Sequence, residues 1–174
     1  RTAADGSVQT SVDEAALVGA ASALVDAGVA SIAVVFLNSY ANPDNERRAA
    51  AVLRRAFPLI AFTASHEIVP EVREFERTST AVANAYVKPL AAHYLDGMRD
   101  KLDALGIVAP LSLMLSSGGF THVAEAKAAP VHLLESGPAA GALAAAQLRE
   151  GEARLLAFDM GGTTAKLCIV DDGI

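Results

Sequence analysis

The densest chemistry in the sequence lies in Asp159-Met160-Gly161-Gly162-Thr163-Thr164, between an apolar run at Arg154 to Phe158 and a second at Ala165 to Val170. Adjacent glycines let a backbone approach a phosphate group closely, with no Cβ in the way. The hydroxyls of Thr163 and Thr164 are donors for phosphate oxygens. Asp159, at the end of a strand, is placed to hold Mg²⁺ through water, because that ion keeps much of its hydration shell. The segment therefore reads as a nucleotide-phosphate turn, with Asp159 as the catalytic and metal-binding carboxylate and ATP and Mg²⁺ as cofactors. It is not a P-loop, since it lacks Gly-Lys-Ser/Thr and leads into a strand. It is not a Rossmann turn, since no helix follows. A plain hairpin turn with glycines for geometry is the competing reading.

Three other segments carry candidate chemistry. Ser136-Gly137-Pro138 opens a helix, with Ser136 as cap and Pro138 in its first turn. A helix start with small residues is a ready anion site, and an ordinary capped helix is the alternative. Ser116-Ser117-Gly118-Gly119 follows a strand, where open α/β sheets bind ligands. A cleft-lining loop fits it better than a hydrolase serine, because no Gly-x-Ser-x-Gly elbow is present, and a plain turn is the alternative. Glu71 to Thr80 packs five charges, read as a solvated face with Thr78 or Ser79 capping the next helix. His66-Glu67 lacks the second histidine of a zinc helix and reads as a hydrogen-bonded loop histidine. Cys168, the single cysteine, reads as a small core residue.

The elements that position these residues alternate between helix and strand. Ser11 and Glu14 have capping-box spacing for a helix ending at Gly28. Ser31 to Leu37 reads as a strand buried on both faces. Asn42-Pro43 starts a second helix, with proline at its first position, and Pro58 ends it. Leu59 to Thr63 is a short strand. A long helix spans about 77–105, with Val82, Ala85, Tyr86, Leu90, Tyr94 and Leu95 in its apolar stripe and Pro89 as a kink or division. Leu111 to Leu115 is a strand, Val123 to Ala129 a short helix and Pro138 to Leu148 an alanine-rich helix. The class is α/β with a mixed sheet and flanking helices.

Composition narrows the partners. The 174 residues carry a formal charge of −6 with acids and bases interspersed, which disfavours nucleic acid. Hydrophobic residues make up 52%, enough for a core, yet no apolar tract is long enough to span a bilayer. One cysteine fits a reducing, cytoplasmic setting. Both ends read as cuts in a longer protein.

Asp159-Met-Gly-Gly-Thr-Thr-Ala-Lys166 resembles a phosphate loop of the hydantoinase A/5-oxoprolinase family, in the actin-like ATPase superfamily. Further segments resemble that family in the same order: Ser31 to Val35 with Asn38 to Pro43, Ser65 to Pro70, Arg73 to Thr80, Asn84 to Val87, Ser116 to Gly119 and Ser136 to Gly141. Ser117 departs from a more usual Asn, and Lys166 from a frequent Asp.

The resemblance implies a ribonuclease H-like, actin-like partial domain. Residues 1–150 would be the end of a first domain, and residues 151–174 the opening hairpin of a second. It implies ATP-dependent opening of a cyclic amide such as hydantoin or 5-oxoproline, with a hydantoinase B-type partner subunit. The ATP-using subunit of a ketone carboxylase, a sugar kinase and a non-catalytic structural module are the alternatives. It adds Lys166, Ser136, Gly137, Ser117, Gly118 and Gly119 to the cofactor-binding set, and Arg77 and Thr78 to the cleft. The isolated chain is expected not to turn over ATP, because such ATPases clamp the nucleotide between two domains.

Overall fold

A computed structural model describes residues 1–148, 151 and 153–171. They form two compact units: Arg1–Met98 with Lys127–Val131, and Arg99–Ala126 with the described residues from His132 onward. The ends of the proposed hairpin domain at 152 and 172–174 lie outside the described residues.

In the first unit, helix α1 spans Glu14–Asp26 and is capped by Asp13, whose Oδ1 accepts from Ala16 N at 3.0 Å. The Ser11/Glu14 capping box does not form. Val12 N donates to Asn45 Oδ1 at 3.2 Å and the Val12 side chain packs on the core, which holds residues 11–12 out of the helix. Gly28, at φ 84°, takes the left-handed conformation that ends the helix.

Strand β1 (Ser31–Val34) pairs in parallel with β2 (Ala61–Ala64). β1 stops three residues short of Leu37, and only Val34 in it is buried. Side chains take the backbone groups a ladder would need: Phe36 N donates to Glu46 Oε2 at 2.7 Å, and Phe36 O accepts from Arg77 Nη2 at 2.9 Å.

Helix α2 (Asp44–Ala56) has Pro43 at its N-cap rather than inside its first turn, with Asn42 Oδ1 accepting from Asp44 N at 2.9 Å. Its acidic first turn and basic last turn complement the helix dipole. Ala49 and Leu53 of α2 join Ala21, Val34 and Phe62 in the core. A four-residue helix, α3 (Ser65–Ile68), follows β2 directly.

Helix α4 runs Glu74–Ala104, unbroken through Pro89. It begins ahead of Thr78 and Ser79, so neither caps it. Their hydroxyls donate back to Glu74 O and Phe75 O. Of the expected apolar stripe, Ala85 and Leu95 are buried, whereas Val82, Tyr86, Leu90 and Tyr94 face outward and are 51–84% exposed. The buried face carries Arg77, Ala81, Asn84, Ala85 and Leu95. The reason is backbone demand: Arg77 serves Phe36 O, Asn84 Nδ2 serves Ala128 O at 3.2 Å, and Lys88 Nζ serves Phe62 O at 2.9 Å. Unpaired buried carbonyls cost more than exposed apolar side chains. A Schellman motif closes α4, with Ile107 N bonded to Leu102 O and Gly106 N to Asp103 O at 2.9 Å each.

The second unit holds β3 (Ser112–Met114) antiparallel to β4 (Phe120–His122), and β5 (Arg154–Met160) antiparallel to β6 (Ala165–Asp171). A short helix, α5 (Val123–Ala128), a 3-10 turn (Pro130–Leu133) and α6 (Ser136–Leu148) link them. Parallel and antiparallel pairing both occur, divided among three two-stranded ladders. α6 packs against β5 and β6. Leu156, Phe158, Leu167 and Ile169 share one hairpin face by register and are exposed, whereas Val170 on the other face is buried.

Candidate functional site

Met160 and Ala165 are the last pair of the β5–β6 hairpin, which leaves Gly161 to Thr164 as a four-residue turn closed by Gly161 N to Thr164 O at 2.9 Å. Neither Gly161 nor Gly162 has positive φ. A Cβ on Gly161 would meet only Thr164 O, at 3.9 Å, and one on Gly162 would meet nothing. The turn itself therefore needs neither glycine. All four turn residues are exposed, and the threonine hydroxyls have no bonded partner among the described residues.

Asp159 and Lys166 stand opposite each other in register beside this turn. Asp159 is exposed. Lys166 Nζ is ion-paired to Glu135, the residue immediately before α6, so the hairpin and the helix start are joined at that point. Glu135 has φ 64°, and its carbonyl accepts from Ala139 N at 3.3 Å, the first bond of the helix. Ser136 is thus the first residue inside α6 rather than its cap, and Gly137 follows it with open space where a Cβ would stand. A cavity of about 290 Å³ lies between α6 and the hairpin, lined by Pro138, Gly141, Ala142, Asp159, Lys166 and Cys168 among others. Cys168 is exposed rather than a core residue, because the hairpin is covered only in part.

The turn at Ser116 to Gly119 has a different construction. Leu115 N bonds Gly119 O at 2.8 Å, Gly118 N bonds Leu115 O at 3.0 Å, and Ser116 N reaches His132 O at 2.8 Å. Gly118 has φ 91°, and a Cβ there would come within 2.9 Å of Leu143 Cδ1 on α6. Backbone geometry and packing account for Gly118 without a ligand. Ser117 and Gly119 are exposed on the same turn.

In the first unit, Arg77 is not a cleft residue. It is 1% exposed, with Nη1 on Glu71 O and Nη2 on Phe36 O at 2.9 Å, and its guanidinium carbon lies 5.5 Å from the Tyr40 ring centre. Its fork is spent on carbonyls, and its buried Nε has no partner.

Glu46 is a buried carboxylate that the motif reading passed over. It accepts from Phe36 N (2.7 Å), His66 N (2.8 Å), Ser65 Oγ (2.9 Å) and His66 Nδ1 (2.9 Å). Burial raises its pKa, but the donors, led by the His66 and Phe36 backbone N–H groups, outweigh that and hold it below the usual value. Its signal in the sequence is an acid at the helical spacing of Ala49, Ala50 and Leu53. Glu67 beside it is held low against burial by the bidentate fork of Arg54, at 2.6 and 2.7 Å. No cluster of three His, Cys, Asp or Glu side chains suited to a metal occurs among the described residues. No helix among them is long and apolar enough to cross a membrane.

Fold and turn together define an α/β protein that presents an open, glycine-containing hairpin turn beside a helix N-terminus. The chain belongs to the hydantoinase/oxoprolinase family: the Hydantoinase/oxoprolinase profile matches residues 77–174, and that of the family's N-terminal region matches residues 1–57. It is 32% identical to caprolactamase subunit alpha of Pseudomonas jessenii over 99% of this chain and 25% of that protein. The crystal structure of ATP-dependent caprolactamase from the same organism superposes with a TM-score of 0.85, over 98% of this chain and 25% of that one. Nucleotide-free acetone carboxylase superposes at 0.86, with 26% identity, over 99% and 25%. The 5-oxoprolinase of Saccharomyces cerevisiae is 30% identical over 92% of this chain and 12% of its own length. The fold is thereby part of an actin-like ATPase fold. The chain spans about a quarter of the length of caprolactamase subunit alpha.

Proposed function

We propose that the protein of which this chain is part uses ATP to open a cyclic amide, and that the turn from Asp159 to Thr164 is one of its phosphate-binding loops. One observation carries the reading: Gly161 and Gly162 are glycines that neither φ nor internal packing requires, which leaves close approach of an outside group as their use. The donor set fits ATP. The two glycines leave the backbone open, and the threonine hydroxyls are unpartnered donors among the described residues. Asp159 is an exposed carboxylate able to hold hydrated Mg²⁺. When bound, ATP would supply a phosphoryl group that makes an amide carbonyl a better electrophile. Ser136, Gly137 and Lys166 would flank the phosphates at the α6 N-terminus. Ser117, Gly118 and Gly119 would line the cleft.

Residues 1–150 are then the later part of one domain and 151–174 the opening of the next. A second subunit of the hydantoinase B type is the expected partner. The word "subunit" in the name of the caprolactamase relative supports a multi-subunit enzyme. A cytoplasmic setting rests on the unpaired Cys168. The likeness to acetone carboxylase favours a second reading, the ATP-using subunit of a ketone carboxylase.

The full-length protein, expressed with its neighbouring subunit, separates the two. ATP-dependent consumption of hydantoin or 5-oxoproline is expected, without consumption of ketone plus bicarbonate. The reverse pattern would move the assignment to the carboxylase. Asp159→Ala should abolish the ATP-coupled reaction, and unchanged coupling in that variant would remove Asp159 from the site.

A further inference from the structure

Lys166 stands opposite Asp159 in the β5–β6 ladder, yet its Nζ is ion-paired to Glu135, 31 residues away in sequence. Asp159 and Lys166 both line the cavity of about 290 Å³ between α6 and the hairpin. Among the described residues that line it, Lys166 is the only cation. The one positive side chain at the cavity is therefore already taken by a carboxylate of the chain itself.

Glu135 is the residue immediately before α6, and its φ of 64° is one that residues with a side chain rarely adopt. Its carbonyl accepts the first helix bond, from Ala139 N at 3.3 Å, while its carboxylate holds Lys166. The pair contributes little to stability. The Lys166 and Glu135 side chains are 36% and 67% exposed, and an ion pair that open to water is largely screened. What the pair does change is the charge available to a ligand. A lysine ammonium is a point charge suited to phosphate, and here it is neutralised before any phosphate arrives.

We propose that Glu135 is an internal anion that occupies Lys166 while the phosphate site is empty, and that Lys166 leaves Glu135 for the phosphate when nucleotide binds. The role rests on the reading of Asp159 to Thr164 as a phosphate loop. Glu135 is then an autoinhibitory contact that sets the affinity of that site. The apparent affinity is the intrinsic one reduced to the fraction of molecules in which Lys166 is free. The exposure of the pair keeps it weak enough to open.

Glu135→Gln removes the charge and keeps the size of the side chain. In the full-length protein its dissociation constant for Mg·ATP, measured by calorimetry, should fall by about threefold, on the scale of one exposed ion pair. The gain should shrink in a Lys166→Met background, where no ammonium is left to release. The same gain in that background would overturn the proposal, because Glu135 would then act by repulsion alone. Unchanged or weaker binding by a folded Glu135→Gln protein would overturn it as well. A second measurement needs no variant: a crystal structure of the nucleotide-free full-length protein should show Lys166 on Glu135. Lys166 held elsewhere in that structure overturns the contact even where Glu135→Gln fails to fold. A wild-type protein that binds no Mg·ATP overturns the phosphate-loop reading and the role built on it. The nucleotide-free structure tells that failure apart from failure of the ion pair.

Discussion

Two turns in the second unit carry adjacent glycines, and they use them in opposite ways. At Ser116 to Gly119 the chain consumes its glycine: Gly118 sits at φ 91°, a backbone conformation that side chains rarely adopt. At Gly161 to Thr164 the chain consumes neither glycine, since a Cβ on either would stand in open space or at ordinary contact distance. The first turn is explained by its own geometry. The second has no such requirement from its own geometry. The same division separates two carboxylates, because Glu46 is saturated by donors of the first unit while Asp159 is exposed beside its turn. What a fold leaves unused is the better guide to a ligand than residue type alone.

That contrast can be attacked from the consumed side first. Glu46→Ala should destabilise the protein by about 3 kcal/mol or more, because at least two buried N–H groups lose their acceptor at roughly 1–3 kcal/mol each. Its acid dependence has a defined sign. The pKa of Glu46 is depressed from 4.5, so its stabilisation is complete above that value and is lost as pH falls through the lower folded-state value. Denaturant melts from pH 6 downward should show the wild type losing stability more steeply than Glu46→Gln below that point. Parallel curves would mean that Glu46 is not held as described.

A smaller effect is expected at the first turn. Gly118→Ala should cost about 1–2 kcal/mol for the left-handed backbone. Leu143 adds little, since its side-chain end can swing away. Gly118→Asn should cost less, because asparagine tolerates that conformation. Equal losses in urea melts of the two variants would make packing, not φ, the reason for the glycine.

Legibility in the sequence followed the range of the interaction. The hairpin and its turn were readable because strand, glycines and strand are contiguous, and β5 and β6 end within two residues of where the apolar runs do. The reading could not tell a glycine needed by the turn from one that is not, since φ is absent from the letters. The buried face of α4 was legible only in part, at Ala85 and Leu95. Val82, Tyr86, Leu90 and Tyr94 form the better apolar stripe, yet Arg77, Asn84 and Lys88 turn inward to carbonyls 26–44 residues away. The early end of β1 has the same origin, because Glu46 and Arg77 claim Phe36 from distant helices. Ser11 lost the cap of α1 to Asp13 through the tether from Asn45, again a long-range contact.

The smallest stability effect belongs to the second turn, and there the central claim is most directly open to test. Gly162→Val in the full-length protein should leave the unfolding free energy within about 0.5 kcal/mol of wild type, as for a surface change that meets no neighbour. Its affinity for Mg·ATP, measured by calorimetry, should fall at least tenfold. Wild-type Mg·ATP affinity in Gly162→Val would contradict the account, because the open space at that glycine would then serve no phosphate.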